Sequence, residues 1–151
     1  MRIYLAGPLF SIAEKEFNIS FAGKLKSKLK ENGFSTIDII IPQQYSETLE
    51  NDEHFVSRIF QYCVDNVENS DLVVAILEGS DADSGTCVEL GVAYARNIPI
   101  IGIRTDFRSS EDRGLNIMVA NVCSSLIWNT SLDINELADE IKNKIEELDL
   151  Y

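Results

Sequence analysis

Cationic, histidine and cysteine side chains are scarce in this sequence. The 151 residues carry 13 Lys and Arg against 25 Asp and Glu, which gives a net charge of -12. That charge disfavours nucleic-acid backbones and anionic membranes as partners, although it leaves room for a neutral small molecule. The three cysteines, Cys63, Cys87 and Cys123, are widely spaced without a CxxC, and His54 is the only histidine. We therefore expect neither a disulfide framework nor a structural zinc site, and we expect His54 to be a surface residue.

Long apolar runs are also missing. The N-terminal residues MRIYLAG form too short an apolar run for a signal peptide or a membrane span. Apolar residues nevertheless make up 45% of the chain, which is enough for a packed core in one domain. These features predict a single soluble domain over residues 1–151, with a cytoplasmic location and no membrane partner.

The common phosphate-binding motifs are absent as well. No GxGxxG follows the first apolar run, no GxxxxGK[ST] occurs, and the loop at residues 7–14 (GPLFSIAE) has no Lys or Arg. Such motifs place backbone amides and a cation around phosphate groups. A dinucleotide or triphosphate site is therefore poorly supported.

Five apolar runs alternate with amphipathic segments along the chain. The runs predict strands at 3–6, 35–41, 71–77, 98–103 and 126–128. The segments between and after them predict helices around 17–29, 51–69, 84–95, 115–120 and 132–148. Residues 43–46 and 104–113 are polar and predict solvated loops.

This alternation predicts a doubly wound α/β fold with helices on both faces of a parallel sheet. For five strands we expect the flavodoxin-like order 2-1-3-4-5, whose switch point lies between the first and third strands. Ligands bind at the carboxyl ends of the strands there. The loops at 7–10 and 78–83 meet at that edge.

The segment 83–95 (DSGTCVELGVAYA) predicts a helix that begins at the same edge. Asp83 or Ser84 is a suitable N-cap because its side-chain oxygen can accept a hydrogen bond from a free amide of the first turn. Glu89 lies between Val88 and Leu90, so we expect this carboxylate to be partly buried. Burial raises the pKa of a carboxylate, and a perturbed carboxylate at a sheet switch point is a candidate reactive group.

The side chains expected near this edge are carboxylates, amides and a phenol: Tyr4, Gln43, Gln44, Asp71, Asp81, Asp83 and Glu89. Carboxylates without metal ligands suit chemistry at an acetal-like carbon, where one carboxylate attacks and another group handles the proton of the leaving group. Retaining glycosidases work in this way. Singly, Asp71 could equally be a cap at a strand entrance and Tyr4 a core aromatic.

Four segments together resemble the nucleoside 2-deoxyribosyltransferase family. They are residues 3–10 (IYLAGPLF), 69–71 (NSD), 83–93 (DSGTCVELGVA) and 115–118 (LNIM), in the family's order. The resemblance implies the flavodoxin-like fold and an exchange of nucleobases on 2-deoxyribose.

The resemblance also implies catalytic roles. Glu89 is similar to the nucleophile that attacks C1′ of the sugar, and Tyr4 to the tyrosine that orients that glutamate. Asp71 resembles the carboxylate that helps to protonate the leaving base.

Further residues would bind the substrate by the same resemblance. Asp83 is similar to the residue that holds the sugar 5′-hydroxyl, and Asn116 to an asparagine that reaches this hydroxyl from a neighbouring subunit. Gln44 is similar to a base-contacting glutamine. Gly7 and Phe10 lie in the matching first loop and are expected at the substrate.

The implied reaction has two steps with retention at C1′. Glu89 displaces the base and forms a deoxyribosyl ester, and a second base then attacks C1′. No metal or organic cofactor is required. The implied partners are a deoxynucleoside, a nucleobase and further copies of the chain in a homo-oligomer with a shared site.

Three alternatives remain open at this stage. Water could replace the second base, which would make the protein a deoxynucleoside hydrolase. A related hydrolase acts on deoxynucleoside 5′-monophosphates, but Glu14 and Glu16 would repel a phosphate near the first loop. A non-catalytic nucleotide-binding module on the same fold is the third alternative, because a fold does not determine a function.

Overall fold

Five parallel strands form the central sheet of the computed structural model, which describes residues 1–49, 52–108 and 114–150. The strands are β1 Arg2–Ala6, β2 Asp38–Ile40, β3 Leu72–Ile76, β4 Ile100–Arg104 and β5 Ser125–Trp128. Their order across the sheet is β2-β1-β3-β4-β5, so the predicted flavodoxin-like order is confirmed. The switch point lies between β1 and β3, where Tyr4 pairs with Val73.

Within these described ranges, six helices connect and follow the strands. They are α1 Ile12–Glu31, α2 Pro42–Thr48, α3 Phe55–Glu68, α4 Ser84–Ala95, α5 Ile117–Val122 and α6 Ile134–Glu147. Helix α1 packs against α6, whereas α4 packs against both α3 and α5. None of the helices in this part of the chain combines the length and apolarity of a membrane span.

Two apolar cores lie on opposite faces of the sheet. Ile3 and Leu5 of β1 belong to the core beneath α1 and α6, whereas Tyr4 and Ala6 belong to the core beneath α3, α4 and α5. This division follows from the alternation of side chains along a strand. It places the Tyr4 hydroxyl on the same face as α4.

The polar segment after β2 is helical, so the prediction of a loop at residues 43–46 was wrong. Helix α2 begins with Pro42 in its first turn, where proline is favoured because its missing N–H would have no helical partner. Gln43 is buried, with 2% of its surface exposed. Short polar helices such as α2 lack the apolar periodicity on which the prediction depended.

Arg104 corrects a second prediction, because it is fully buried and does not lie in a solvated loop. Its guanidinium donates hydrogen bonds to the carbonyl oxygens of Leu77 at 2.5 Å, Gly79 at 2.9 Å and Arg108 at 2.7 Å. The side chain thereby ties the loop after β3 to the segment after β4. Residues 109–113 of the predicted loop lie outside the described part of the chain.

A second set of bonds joins the same two loops. The Glu78 carboxylate accepts hydrogen bonds from the backbone amides of Thr105 and Asp106, both at 2.7 Å. Asp106 in turn accepts a bond from the backbone amide of Gly79 at 3.1 Å. The start of the loop that leads into α4 is therefore held against the segment after β4.

Candidate active site

Tyr4 and Glu89 form a direct hydrogen bond at the carboxyl end of β1. Tyr4 is fully buried in the core, and its hydroxyl donates to Glu89 Oε1 at 2.5 Å. Burial and the neighbouring Glu89 raise the pKa of Tyr4 well above its usual range. The phenol therefore stays neutral and can only donate its proton to a hydrogen bond with the carboxylate.

Glu89 has an unusual acidity for a glutamate. Its pKa is raised to about 7, mainly by burial and to a smaller extent by the negative charge of Asp83, although Tyr4 and Cys63 act in the opposite direction. A carboxylate with a pKa of about 7 is about half ionised at neutral pH. It combines a weak hydration shell with a substantial ionised population, which are the properties of a nucleophile or an acid–base group.

Cys63 of α3 is a member of this cluster that the sequence analysis missed. Its thiol lies close enough to Tyr4 and Glu89 to influence the pKa of both groups. Burial raises the pKa of the Cys63 thiol to about 11, so the thiol is neutral at physiological pH and adds no negative charge beside Glu89. In the sequence Cys63 stands among the apolar residues of its helix, and only the packing of α3 against α4 brings it to Glu89.

A cavity of about 510 Å³ opens above Glu89 at the carboxyl edge of the sheet. Its lining comes from the loop after β1 and from helices α1 to α4: Gly7, Leu9, Phe10, Lys15, Pro42, Ser46, Phe55, Ile59, Cys63, Asp83, Gly85, Thr86 and Glu89. Four of the residues predicted for the site, namely Gly7, Phe10, Asp83 and Glu89, thus surround one space. Tyr4 lies beneath it and touches it through Glu89.

Asp83 caps helix α4 at the mouth of this cavity. Its Oδ2 accepts hydrogen bonds from the Thr86 backbone amide at 2.8 Å and from the Thr86 hydroxyl at 3.2 Å. The carboxylate therefore occupies the amide-rich N-terminus of α4, where an anionic ligand would otherwise be favoured. A ligand group beside Asp83 is more favourably a hydroxyl donor than a phosphate.

Asp71 lies at the opposite edge of the sheet, and its position does not fit the role given to it by resemblance. It stands immediately before β3, is exposed, and accepts a hydrogen bond from the Arg2 backbone amide at 2.7 Å. A residue before a parallel strand lies at the amino edge, whereas the cavity lies at the carboxyl edge. Asp71 instead acts as the cap at the strand entrance.

Gln44 and Asn116 are also outside the cavity of this chain. Gln44 is exposed on α2, whereas its neighbour Gln43 is buried and has a side-chain oxygen without a hydrogen-bond partner among the described residues. Asn116 is exposed and caps α5, with its side-chain oxygen accepting from the Met118 amide at 2.9 Å. Neither Gln44 nor Asn116 is among the residues that line the cavity.

Lys15 is a second site residue that the sequence analysis missed. It lies in the first turns of α1 and is the only cation among the described residues that line the cavity. The helix begins at the N-cap Ser11, so Lys15 comes one turn after the first loop. A search for cations within that loop alone could not find it.

Metal ligation has no obvious place in the described ranges. Within them, no group of three or more His, Cys, Asp and Glu side chains is arranged to hold a metal ion.

Solved structures with the same architecture include one of a conserved protein from Enterococcus faecalis. It is 26% identical with a TM-score of 0.72, covering 95% of this chain and 98% of that one. A 2-deoxyribosyltransferase from Bacillus psychrosaccharolyticus is 19% identical with a TM-score of 0.69, covering 92% and 91%. A CMP N-glycosidase from Clostridium botulinum is 17% identical with a TM-score of 0.59, covering 94% and 99%. The last two likenesses concern the fold alone.

Among curated proteins, no sequence matches this chain significantly. The family model for nucleoside 2-deoxyribosyltransferases, in contrast, matches residues 3–119. That range contains β1, the cavity-lining helices, Glu89 and the α5 N-cap. The chain therefore belongs to the nucleoside 2-deoxyribosyltransferase family.

Proposed function

We propose that the protein transfers 2-deoxyribose between nucleobases through a covalent ester on Glu89. The observation that carries the proposal is the Tyr4–Glu89 pair, a buried carboxylate with a 2.5 Å hydrogen bond at the base of a cavity. Only one carboxylate oxygen accepts this bond from Tyr4, and the carboxylate also borders the cavity.

In this reaction the ionised Glu89 attacks C1′ as the bond to the base breaks. The cationic character that develops at C1′ is stabilised by the adjacent carboxylate, as in retaining glycosidases. An acceptor base then displaces Glu89 from the opposite direction, so the configuration at C1′ is retained. A 2′-hydroxyl would crowd Glu89 and destabilise the cation inductively, and we therefore expect 2′-deoxynucleosides as substrates.

Asp83 supports a nucleoside as the substrate. Asp83 and Glu89 both belong to the α4 segment and both line the cavity. A sugar that lies along α4 with C1′ at Glu89 presents its 5′-hydroxyl to Asp83, which can accept a hydrogen bond from it. A 5′-phosphate at the same place would meet a negative charge.

Hydrolysis of a deoxynucleoside 5′-monophosphate is the second candidate, and Lys15 is the observation that favours it. A cation does line the cavity, although the first loop lacks one. In that case water would attack C1′ in place of a second base. A nucleobase acceptor and a water acceptor use the same Glu89 ester, so product analysis separates the two reactions.

We further propose that two copies of the chain share each site. Asn116 is exposed and is not among the residues that line its own cavity, so it is free to serve the site of a second copy. Helix α4 packs against both α3 and α5, and these three helices carry exposed apolar side chains, namely Val56, Phe60, Val88 and Met118. A second copy would remove this apolar surface from water.

An exchange assay tests the proposed chemistry. The protein is incubated with 2′-deoxyinosine and adenine, and the products are separated by liquid chromatography. We expect 2′-deoxyadenosine from the wild type and none from Glu89→Ala. Glu47→Ala is the matched control, because Glu47 is an exposed glutamate on α2 and should leave the exchange unchanged.

Three results would contradict this proposal, each at a different point. Free hypoxanthine without 2′-deoxyadenosine would show that water is the acceptor. A Glu89→Ala protein with wild-type turnover would remove Glu89 from the mechanism. Binding of nucleosides without any product would favour the non-catalytic module.

A further inference from the structure

The leaving base needs a proton donor, and the position of Asp71 leaves this role open. Breaking the bond between C1′ and the base transfers an electron pair to a ring nitrogen, which makes the departing base an anion unless it receives a proton. Asp71 lies at the amino edge of the sheet. The donor must instead come from the residues that line the cavity.

Few of the lining residues can supply such a proton. Glu89 is the attacking group, and Asp83 carries a negative charge at the α4 cap. Cys63 belongs to α3, which packs against α4, and its thiol influences the pKa of Glu89, so it lies beside the nucleophile and not beside the departing base. The Lys15 ammonium is the only cation in the described lining.

Lys15 is also on the correct side of the cavity. It comes from α1, which packs with α6 on the sheet face opposite to α4. A sugar placed along α4 between Glu89 and Asp83 directs its base away from α4, toward the wall formed by Leu9, Phe10, Lys15, Pro42 and Ser46. Leu9 and Phe10 can cover the flat faces of a base, while an ammonium can reach its polar rim.

The Lys15 ammonium is not committed to another group. Within residues 1–49, 52–108 and 114–150, no ion pair or side-chain hydrogen bond occupies it. The charged and titratable groups that act on Glu89 are Tyr4, Cys63 and Asp83, and Lys15 is not one of them. A cation separated from the nucleophile can donate to a ligand without quenching the carboxylate.

We propose that Lys15 binds the departing base and donates its proton to it, a role that rests on the transfer chemistry proposed above. In the first step the bond from C1′ to the base breaks, a bond from C1′ to a Glu89 oxygen forms, and the Lys15 proton moves to the base. The neutral Lys15 amine then accepts the N–H proton of the incoming base as its nitrogen attacks C1′. Glu89 leaves as a carboxylate, so charge and protons balance over the cycle.

This role makes Lys15 selective for bases with a carbonyl oxygen on the rim that faces it. An ammonium has three donors and no acceptor, so it pairs with the oxygen of hypoxanthine, guanine, thymine or uracil. An exocyclic amino group at the same position offers it no acceptor, so adenine should still be exchanged but more slowly than these bases.

The test compares 2′-deoxyguanosine with 7-methyl-2′-deoxyguanosine. The methylated base is a cation in the nucleoside and leaves as a neutral molecule, so its departure needs no proton. We expect Lys15→Met to lower kcat/KM for 2′-deoxyguanosine by roughly a hundred-fold or more, the usual contribution of a general acid. We expect the value for the 7-methyl substrate to stay within about three-fold of wild type.

Two further variants sharpen the comparison. Lys24→Met removes an exposed lysine from the same helix and should change neither substrate. Lys15→Arg keeps the charge but cannot release a proton, so it should recover binding of 2′-deoxyguanosine, seen as KM, without recovering kcat.

Several outcomes would overturn the assignment of Lys15. Equal losses on both substrates would show a structural role, and no loss on either would show no role. A loss confined to deoxynucleoside 5′-monophosphates would place Lys15 at the phosphate. If the wild type turns over neither substrate, the proposed transfer itself fails, and the role of Lys15 fails with it.

Discussion

Replacing Tyr4 with Phe should shift the pH dependence of the reaction to higher pH. The change removes the hydroxyl that donates to Glu89 Oε1 at 2.5 Å and leaves the buried ring in place. That hydrogen bond lowers the pKa of Glu89, which burial has raised to about 7. Without the bond the carboxylate is harder to ionise, and its pKa must rise.

The size of the shift follows from the strength of a hydrogen bond to a charged group. Such bonds contribute about 1.5–3 kcal/mol, and one pKa unit corresponds to about 1.4 kcal/mol. The pKa of Glu89 should therefore move from about 7 to roughly 8–9. Because only ionised Glu89 attacks C1′ and the wild-type carboxylate is about half ionised at neutral pH, kcat/KM at that pH should fall about 5-fold to 50-fold.

The assay is kcat/KM for base exchange across about pH 5 to about pH 10, where the acidic limb reports the ionisation of the free enzyme. We expect the limb of Tyr4→Phe to lie about 1–2 units above that of the wild type, with much of the lost activity returning at high pH. Tyr94→Phe is the matched control, because Tyr94 is an exposed tyrosine on α4. A loss in Tyr4→Phe that is the same at every pH would refute the assignment of Tyr4 to the ionisation of Glu89.

Two other predictions concern stability and assembly. Glu89→Gln should stabilise the fold by up to about 3 kcal/mol at about pH 8 and by little at about pH 4.5, measured by thermal unfolding. The folded-state pKa of Glu89, about 7, exceeds its ordinary value of 4.5, so the wild type loses stability as the pH rises between these two values. The neutral Gln side chain loses none. A Glu89→Gln protein that is less stable than wild type at high pH would contradict this prediction. If one site takes Glu89 from one copy and Asn116 from another, a mixture of Glu89→Ala and Asn116→Ala chains should form some intact sites. Its exchange activity should then exceed the sum of the activities of the two variants measured separately. Strictly additive activity would argue against a shared site.

The fold could be predicted because each strand corresponds to a short apolar run in the sequence. The run LVVAI of β3 is buried throughout, as expected for a central parallel strand, and right-handed connections then leave few possible orders. The N-cap at Asp83 was likewise predictable, because capping depends on one side chain and the amides of the next turn. Helix α2 was missed because its sequence, PQQYSET, has no apolar period.

Whether a given side chain lies in the site was harder to predict than whether its residue belongs to a helix or a strand. Asp71 could have been excluded from its sequence position alone, since a residue that precedes a parallel strand lies at the amino edge. Cys63 and Lys15 could not have been identified in this way, because each reaches the cavity through the packing of a different helix. The sequence predicts a polar loop residue at Arg104. Its burial is explained only by the hydrogen bonds that its guanidinium donates to the carbonyl oxygens of Leu77 and Gly79.

The covalent intermediate on Glu89 is the central claim, and mass spectrometry tests it most directly. The protein is mixed with 2′-deoxyinosine without an acceptor base, quenched in acid, and analysed intact and after proteolysis. The account predicts an added mass of one deoxyribosyl group on the peptide that contains Glu89, and no addition to Glu89→Gln. Exchange activity with no adduct at Glu89, or with the sugar attached to a different residue, would contradict it.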